Sequence, residues 1–228
     1  MKILKHIPNA LTLSNLGLGV LSIVCSMNHE VLWASTFIAL ATIPDFLDGL
    51  VARLLQVSSD VGKDLDSLAD LVSFGVAPSI MIFSLQMQYN TGWIQYVSLI
   101  IPIFAALRLA KYNNDERQSV EFYGLTTTVT ALWLSSWPFL IEYDRHIPET
   151  VFVSHFLFLA IPIFASIMMV ANFRMFSLKL KNLKWKDNQL QYVFIILCLG
   201  HLALFGFFGV TLIIFTYIIL SLIRNFAE

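Results

Sequence analysis

The chain has 228 residues, of which 57% are hydrophobic and only 13% charged, and its mean hydropathy is +0.75. A soluble domain carries about 25% charged residues, so this composition excludes an ordinary water-soluble fold and predicts an all-α, polytopic integral membrane protein, a single membrane domain over residues 1–228. A formal net charge of -1 without a basic stripe argues against a nucleic-acid partner.

About 20 apolar residues cross a hydrocarbon core some 30 Å thick. Eight such windows follow one another at about 8–27, 32–55, 66–87, 93–111, 124–142, 151–172, 189–205 and 208–224, which predicts a helical bundle of about eight transmembrane helices. The start, Met1 to His6, imitates the basic end of a signal peptide. No small-residue cleavage site follows and the first apolar run is of span length, so these residues are expected in the mature protein.

The second window contains Pro44, expected to kink its helix and free carbonyls, followed by Asp45, Asp48, Gly49, Ala52 and Arg53. A loop with Ser58 and Ser59 leads through Gly62 into the third window, which holds Asp66, Ser67, Asp70 and Phe74. The fourth ends in Arg108 and Lys111 with Asn113 beyond, and the charges of Asp115, Glu116 and Glu121 read as solvated. The sixth ends at Asn172 and Arg174, and Lys179, Lys181, Lys184 and Lys186 suit a loop lying on anionic headgroups. Around Gly200, Gly206 and Gly209 the last two windows form either a tight hairpin or one long bent helix. Cys25, Cys198, His155 and His201 lack partners at metal-ligand spacing and read as packing residues.

Lysine and arginine placement tests the count, because positive residues concentrate in cytoplasmic loops. With eight spans, one side holds both termini and every basic residue except Arg145, which puts the termini and the loop between Asp48 and Asp66 in the cytoplasm.

The four aspartates are the anomaly. One ionised carboxylate at the bilayer centre costs at least about 2.5–3.5 kcal/mol. Asp45 and Asp48 share one helix face, and Asp66 and Asp70 share a face of the next helix, so the two pairs are expected to converge near the cytoplasmic edge. Hard oxygen ligands in this number suit Mg²⁺ or Mn²⁺, and two ions would neutralise the cluster and clamp a diphosphate. Gly49 and Ala52 leave room beside the carboxylates, although small residues at this spacing also serve helix packing, and Arg53 can fork onto a phosphate.

The run D-x2-D-G-x2-A-R-x8-G-x3-D-x3-D, filled at all eight positions from Asp45 to Asp70, resembles the signature of the CDP-alcohol phosphatidyltransferases. The resemblance implies a six-helix catalytic core, here residues 1–181 with 182–228 as an added C-terminal hairpin, and a homodimer. It implies that Asp45, Asp48 and Asp66 hold metal, with Asp70 contributing and acting as general base. Pro8, Asn9, Ala10, Leu11, Gly49, Ala52, Arg53 and Ser59 are then expected at the CDP-lipid. Asp64 to Pro78, Ala106 to Asn113, Phe122 to Leu125 and Val170 to Arg174 look like the phosphatidylserine synthase branch, with Lys111 and Thr126 departing from its usual arginine and proline. That branch implies CDP-diacylglycerol as donor and L-serine as acceptor. A serine carboxylate calls for a cation, and Arg108, Lys111 and Arg174 are expected there with Asn113 or Asn172 and with Ser67, unless they are ordinary positive anchors at helix ends. Two rival readings are a sister transferase using glycerol phosphate, inositol phosphate or choline, and a membrane ion or proton transporter.

Overall fold

The computed structural model describes residues 6–57, 59–114, 122–144, 148–176 and 184–227. Ser58, Asp115, Glu116, Glu121, Arg145, Lys179 and Lys181 lie outside the described residues, as does the side chain of Asn113. Every predicted window holds a helix. α1 (Ile7–Met27) starts with Pro8 in its first turn, where the missing N–H costs nothing. Its buried face is Pro8, Thr12, Asn15, Gly19, Ser22 and Ser26, while Leu13, Val20 and Val24 point outward. This is the polarity expected in lipid, where small residues let helices approach and large apolar ones face the acyl chains. α1 packs along α2 (Val31–Leu55), which contains Pro44 and closes at Gln56 in the left-handed conformation, φ 52°.

The third window begins earlier than hydropathy predicts. α3 (Asp60–Asp70) is capped by Ser59, whose Oγ accepts from Gly62 N at 3.0 Å, and charged residues fill its first turns. A π turn, Leu71–Val76, carries it into α4 (Ala77–Gln88), and the joined helix Asp60–Gln88 has 61% of its most apolar window buried. Phe74 is fully buried there in the core with Ile38, Met81, Ile101, Leu125, Trp133 and Leu134.

A 3₁₀ segment, Gly92–Leu99, precedes α5 (Ile100–Asn114), and then come α6 (Thr127–Tyr143), the short α7 (Glu149–Phe152) and α8 (His155–Val170). The sixth window is therefore two helices, broken at Val153 and Ser154, whose Oγ caps α8. Strand β1 (Phe122–Tyr123) pairs antiparallel with β2 (Arg174–Met175), tying the entry of α6 to the exit of α8.

The last two windows are a hairpin. α9 (Gln189–Phe205) ends at Gly206, and α10 (Phe208–Ala227) turns back so closely that a side chain at Gly209 would strike the His201 carbonyl. α10 is bonded into the core: Trp133 donates to Thr211 at 3.2 Å, Tyr217 to the Phe176 carbonyl at 3.0 Å, and Asn225 to the Arg174 carbonyl at 2.8 Å. His201 Nε2 is hydrogen-bonded to Thr216 Oγ1 at 3.1 Å, which ties α9 to α10. Both cysteines are free and half-buried.

Ile7–Met27, Asp60–Gln88, Gly92–Lys111 and Phe208–Asn225 are long and apolar enough to cross a membrane by length and composition, and α8 and α9 are shorter apolar helices. Exposed Trp33, Phe46, Leu54, Phe156 and Leu204 give the bundle the outer surface of an integral membrane protein.

Candidate active site

Helix arithmetic explains how the acidic pairs meet. Asp45 and Asp48 precede the end of α2 by ten and seven residues, and Asp66 and Asp70 follow the start of α3 by six and ten. Across the turn between them, Asp48 comes level with Asp66 and Asp45 with Asp70. Carboxylate oxygens of Asp45, Asp48 and Asp66 all lie within 4.8 Å of one another. Asp70 is held against the same group, in direct side-chain interaction with Asp45.

No ion pair compensates the cluster among the described residues. What it receives instead are two neutral donors from α1: Thr12 Oγ1 donates to Asp48 Oδ2 at 2.6 Å, and Asn15 Nδ2 to Asp70 Oδ1 at 3.4 Å. Hydroxyl and amide dipoles cannot balance four carboxylates in a low-dielectric setting. The donor set, three clustered carboxylates with a fourth beside them, fits a hard divalent cation.

The flank of the cluster is open on one side. A Cβ added at Gly49 would meet nothing within 4 Å, whereas Ala52 is half-buried. Arg53 is exposed, with Nε donating to the Gly49 carbonyl at 3.0 Å, so its guanidinium stands beside that open backbone. On the other flank, a Cβ at Gly62 would meet Ser59 Oγ at 2.9 Å and Asn9 Oδ1 at 3.2 Å, which joins the starts of α1 and α3. Pro8 is buried beneath this corner, Leu11 half-buried, and Ala10 exposed with its carbonyl accepting from Ser14. In this structure the Ser59 hydroxyl is the α3 cap.

The residues expected at a serine carboxylate divide. Arg108 is 5% exposed and its Nη1 donates to the carbonyls of Tyr123, at 2.8 Å, and Met169, at 2.7 Å. It binds β1 to the end of α8, where a cation suits the helix C-terminus. Gly124 sits in the same knot at φ +67°, with a Cβ excluded by the Met168 and Ala171 carbonyls at 2.8 Å. Lys111, one turn further along α5, is exposed. Arg174 is exposed on β2, its carbonyl taken by Asn225, and Asn172 is exposed just before it. Asn113 lies on the last turn of α5. Ser67 donates to the Lys63 carbonyl at 3.2 Å, one residue from Asp66.

Thr12 and Asn15, which the acidic motif does not include, are the donors on α1 that reach the cluster. Their signal is a polar stripe at i, i+3 and i+4 spacing on a span that is otherwise apolar.

A family model described as CDP-alcohol phosphatidyltransferase matches residues 5–175, which takes in the acidic cluster, its donors on α1 and the β1–β2 pair. The chain belongs to the CDP-alcohol phosphatidyltransferase family. Within it, the chain is 34% identical over 195 residues to a CDP-diacylglycerol--serine O-phosphatidyltransferase of Helicobacter pylori, covering 84% of this chain and 80% of that protein. The protein of the same name from Bacillus subtilis is 37% identical over 123 residues, 54% of this chain and 69% of its own. An archaetidylserine synthase of Methanothermobacter thermautotrophicus is 34% identical over 137 residues, 57% and 56% of the two chains. Members of the family generally use divalent metals, in keeping with the acidic cluster.

Proposed function

We propose that the protein transfers the phosphatidyl group of CDP-diacylglycerol to L-serine, giving phosphatidylserine and CMP. The observation that carries the transferase reading is the convergence of three carboxylates within 4.8 Å, with Asp70 alongside, on the family's signature positions. The names of the relatives support serine as acceptor.

Asp45, Asp48 and Asp66, with Asp70 contributing, would hold two Mg²⁺ or Mn²⁺ ions. When bound, these supply neutralisation of the diphosphate and of the charge that builds on departing CMP. Gly49 and Ala52 admit the donor to the backbone of α2, Arg53 faces its phosphates, and Pro8, Asn9, Ala10, Leu11 and Ser59 form the corner that receives the nucleotide. Asp70 takes the serine hydroxyl proton as the serine oxygen bonds to the lipid-side phosphorus and the bond from that phosphorus to the CMP oxygen breaks. Of the cations the sequence offers, Arg108 already serves two main-chain carbonyls, so the serine carboxylate falls to Lys111 or Arg174, with Asn113 and Ser67 near the amino acid. The same reading takes residues 1–181 as the catalytic core, the termini and site as cytoplasmic from the distribution of basic residues, and the working unit as a homodimer.

Purified protein given CDP-diacylglycerol and Mg²⁺ or Mn²⁺ tests this, with serine, glycerol 3-phosphate, inositol phosphate and choline supplied separately and CMP release measured. Serine is expected to be preferred. No CMP with any alcohol would overturn the transferase reading, and preference for another acceptor would overturn the serine assignment. A parallel arm with an ether-linked CDP-lipid asks whether the likeness to an archaetidylserine synthase extends to the donor.

A further inference from the structure

The largest fully buried polar side chain of α1 has no part in the reaction described so far. Asn15 is fully buried in the middle of that helix. Its main-chain carbonyl accepts from Ser73 Oγ at 3.0 Å, its Nδ2 donates to Asp70 Oδ1 at 3.4 Å, and its Oδ1 has no hydrogen-bond partner among the described residues. An orphaned buried carbonyl costs about 1–3 kcal/mol, so an apolar side chain of this size would serve packing better. The amide orientation follows from chemistry, since turning it over would set Oδ1 against the carboxylate of Asp70, two acceptors without a hydrogen between them.

The two contacts fall on either side of a structural discontinuity. Asp70 is the last residue of α3, and Ser73 lies inside the π turn that follows. Such turns break the regular ladder and are common at functional sites. Gly19, one turn along α1, lets Ser73 come so close that an added Cβ would stand 2.8 Å from its Cα. α1 therefore grips the π turn at Ser73 and the carboxylate at Asp70 through one residue. A bond of 3.4 Å is long, as catalytic hydrogen bonds often are before substrate binds.

We infer that Asn15 is a positioning residue for Asp70. Nδ2 holds Oδ1 of that carboxylate and so sets the orientation in which Asp70 takes the proton of the acceptor alcohol, and the Ser73 contact fixes the turn on which the carboxylate rides. The inference rests on Asp70 being the base.

The test is a mutant cycle in lipid nanodiscs, using whichever alcohol the wild type turns over. Asn15→Leu should fold with an unchanged or raised Tm and lose about 10²-fold in kcat, with KM for donor and acceptor kept within about twofold, the size expected for a reacting group displaced by about 1 Å. Asn15→Gln should recover part of the loss, and Ser22→Ala on the same buried stripe should keep its kcat. In an Asp70→Glu background, where the carboxylate is already displaced, Asn15→Leu should cost little more. Full kcat in Asn15→Leu, a loss confined to KM, or full additivity with Asp70→Glu would each overturn the inference. Should Asn15→Leu fail to fold, Asn15→Ser gives the same reading. Near-normal turnover in Asp70→Asn would instead remove the base assignment, whatever Asn15 does.

Discussion

Two polar centres lie inside this apolar bundle, and they are built on opposite principles. Around Arg108 a buried cation meets main-chain carbonyls of β1 and α8, and the region is closed by the β1–β2 pair, Gly124 and bonds from α10. Around Asp45, Asp48, Asp66 and Asp70, charge of one sign accumulates, met among the described residues by neutral donors such as Thr12 and Asn15. A satisfied polar group adds to stability, whereas an unsatisfied cluster costs stability unless a ligand arrives to balance it. The first centre is satisfied within the fold, and the second is a carboxylate cluster that could hold a metal.

Substitutions should separate the two. The largest effect belongs to the carboxylate cluster: Asp70→Asn keeps the shape and removes the proton acceptor, so kcat for CMP release should fall about 10²–10⁴-fold while the melting curve in detergent hardly moves. Near-normal turnover would exclude it as the base. Arg108→Ala should do the reverse. Two buried carbonyls lose a charged donor, which costs about 3 kcal/mol, seen as a lower Tm and yield, while KM for serine in the folded fraction stays put. A raised KM at constant Tm would move Arg108 from scaffold to substrate. The smallest effect is expected for Thr12→Val, which retains shape but deprives Asp48 of its donor: the Mn²⁺ concentration at half-maximal activity should rise about tenfold, in the range for outer-shell partners of metal ligands. An unchanged Mn²⁺ requirement would leave Thr12 as a packing residue.

From sequence, Arg108 and Lys111 look alike, two cations one turn apart at the end of one helix. Packing distinguishes them, because only Arg108 faces the carbonyls at the exit of α8, while Lys111 faces out. Ser59 is similar: a hydroxyl near a nucleotide site and a helix cap read the same until Gly62 N is seen beneath it. The early start of α3 escapes a hydropathy window because Asp60, Lys63 and Asp64 are helical without being apolar. The donors Thr12 and Asn15 escape because they lie 36 and 55 residues from the carboxylates they serve.

The sequence by itself determined that this chain lives in a membrane, roughly where its helices run, and that four carboxylates stand at helical spacing on two successive helices. It could do so because span length, period and charge are local properties. The tertiary structure alone decided which donors reach those carboxylates, that a π turn follows Asp70, and which basic side chain is buried against main-chain carbonyls. These depend on contacts between helices distant in sequence, and a hydrogen bond exists only where packing brings its two ends within about 3 Å.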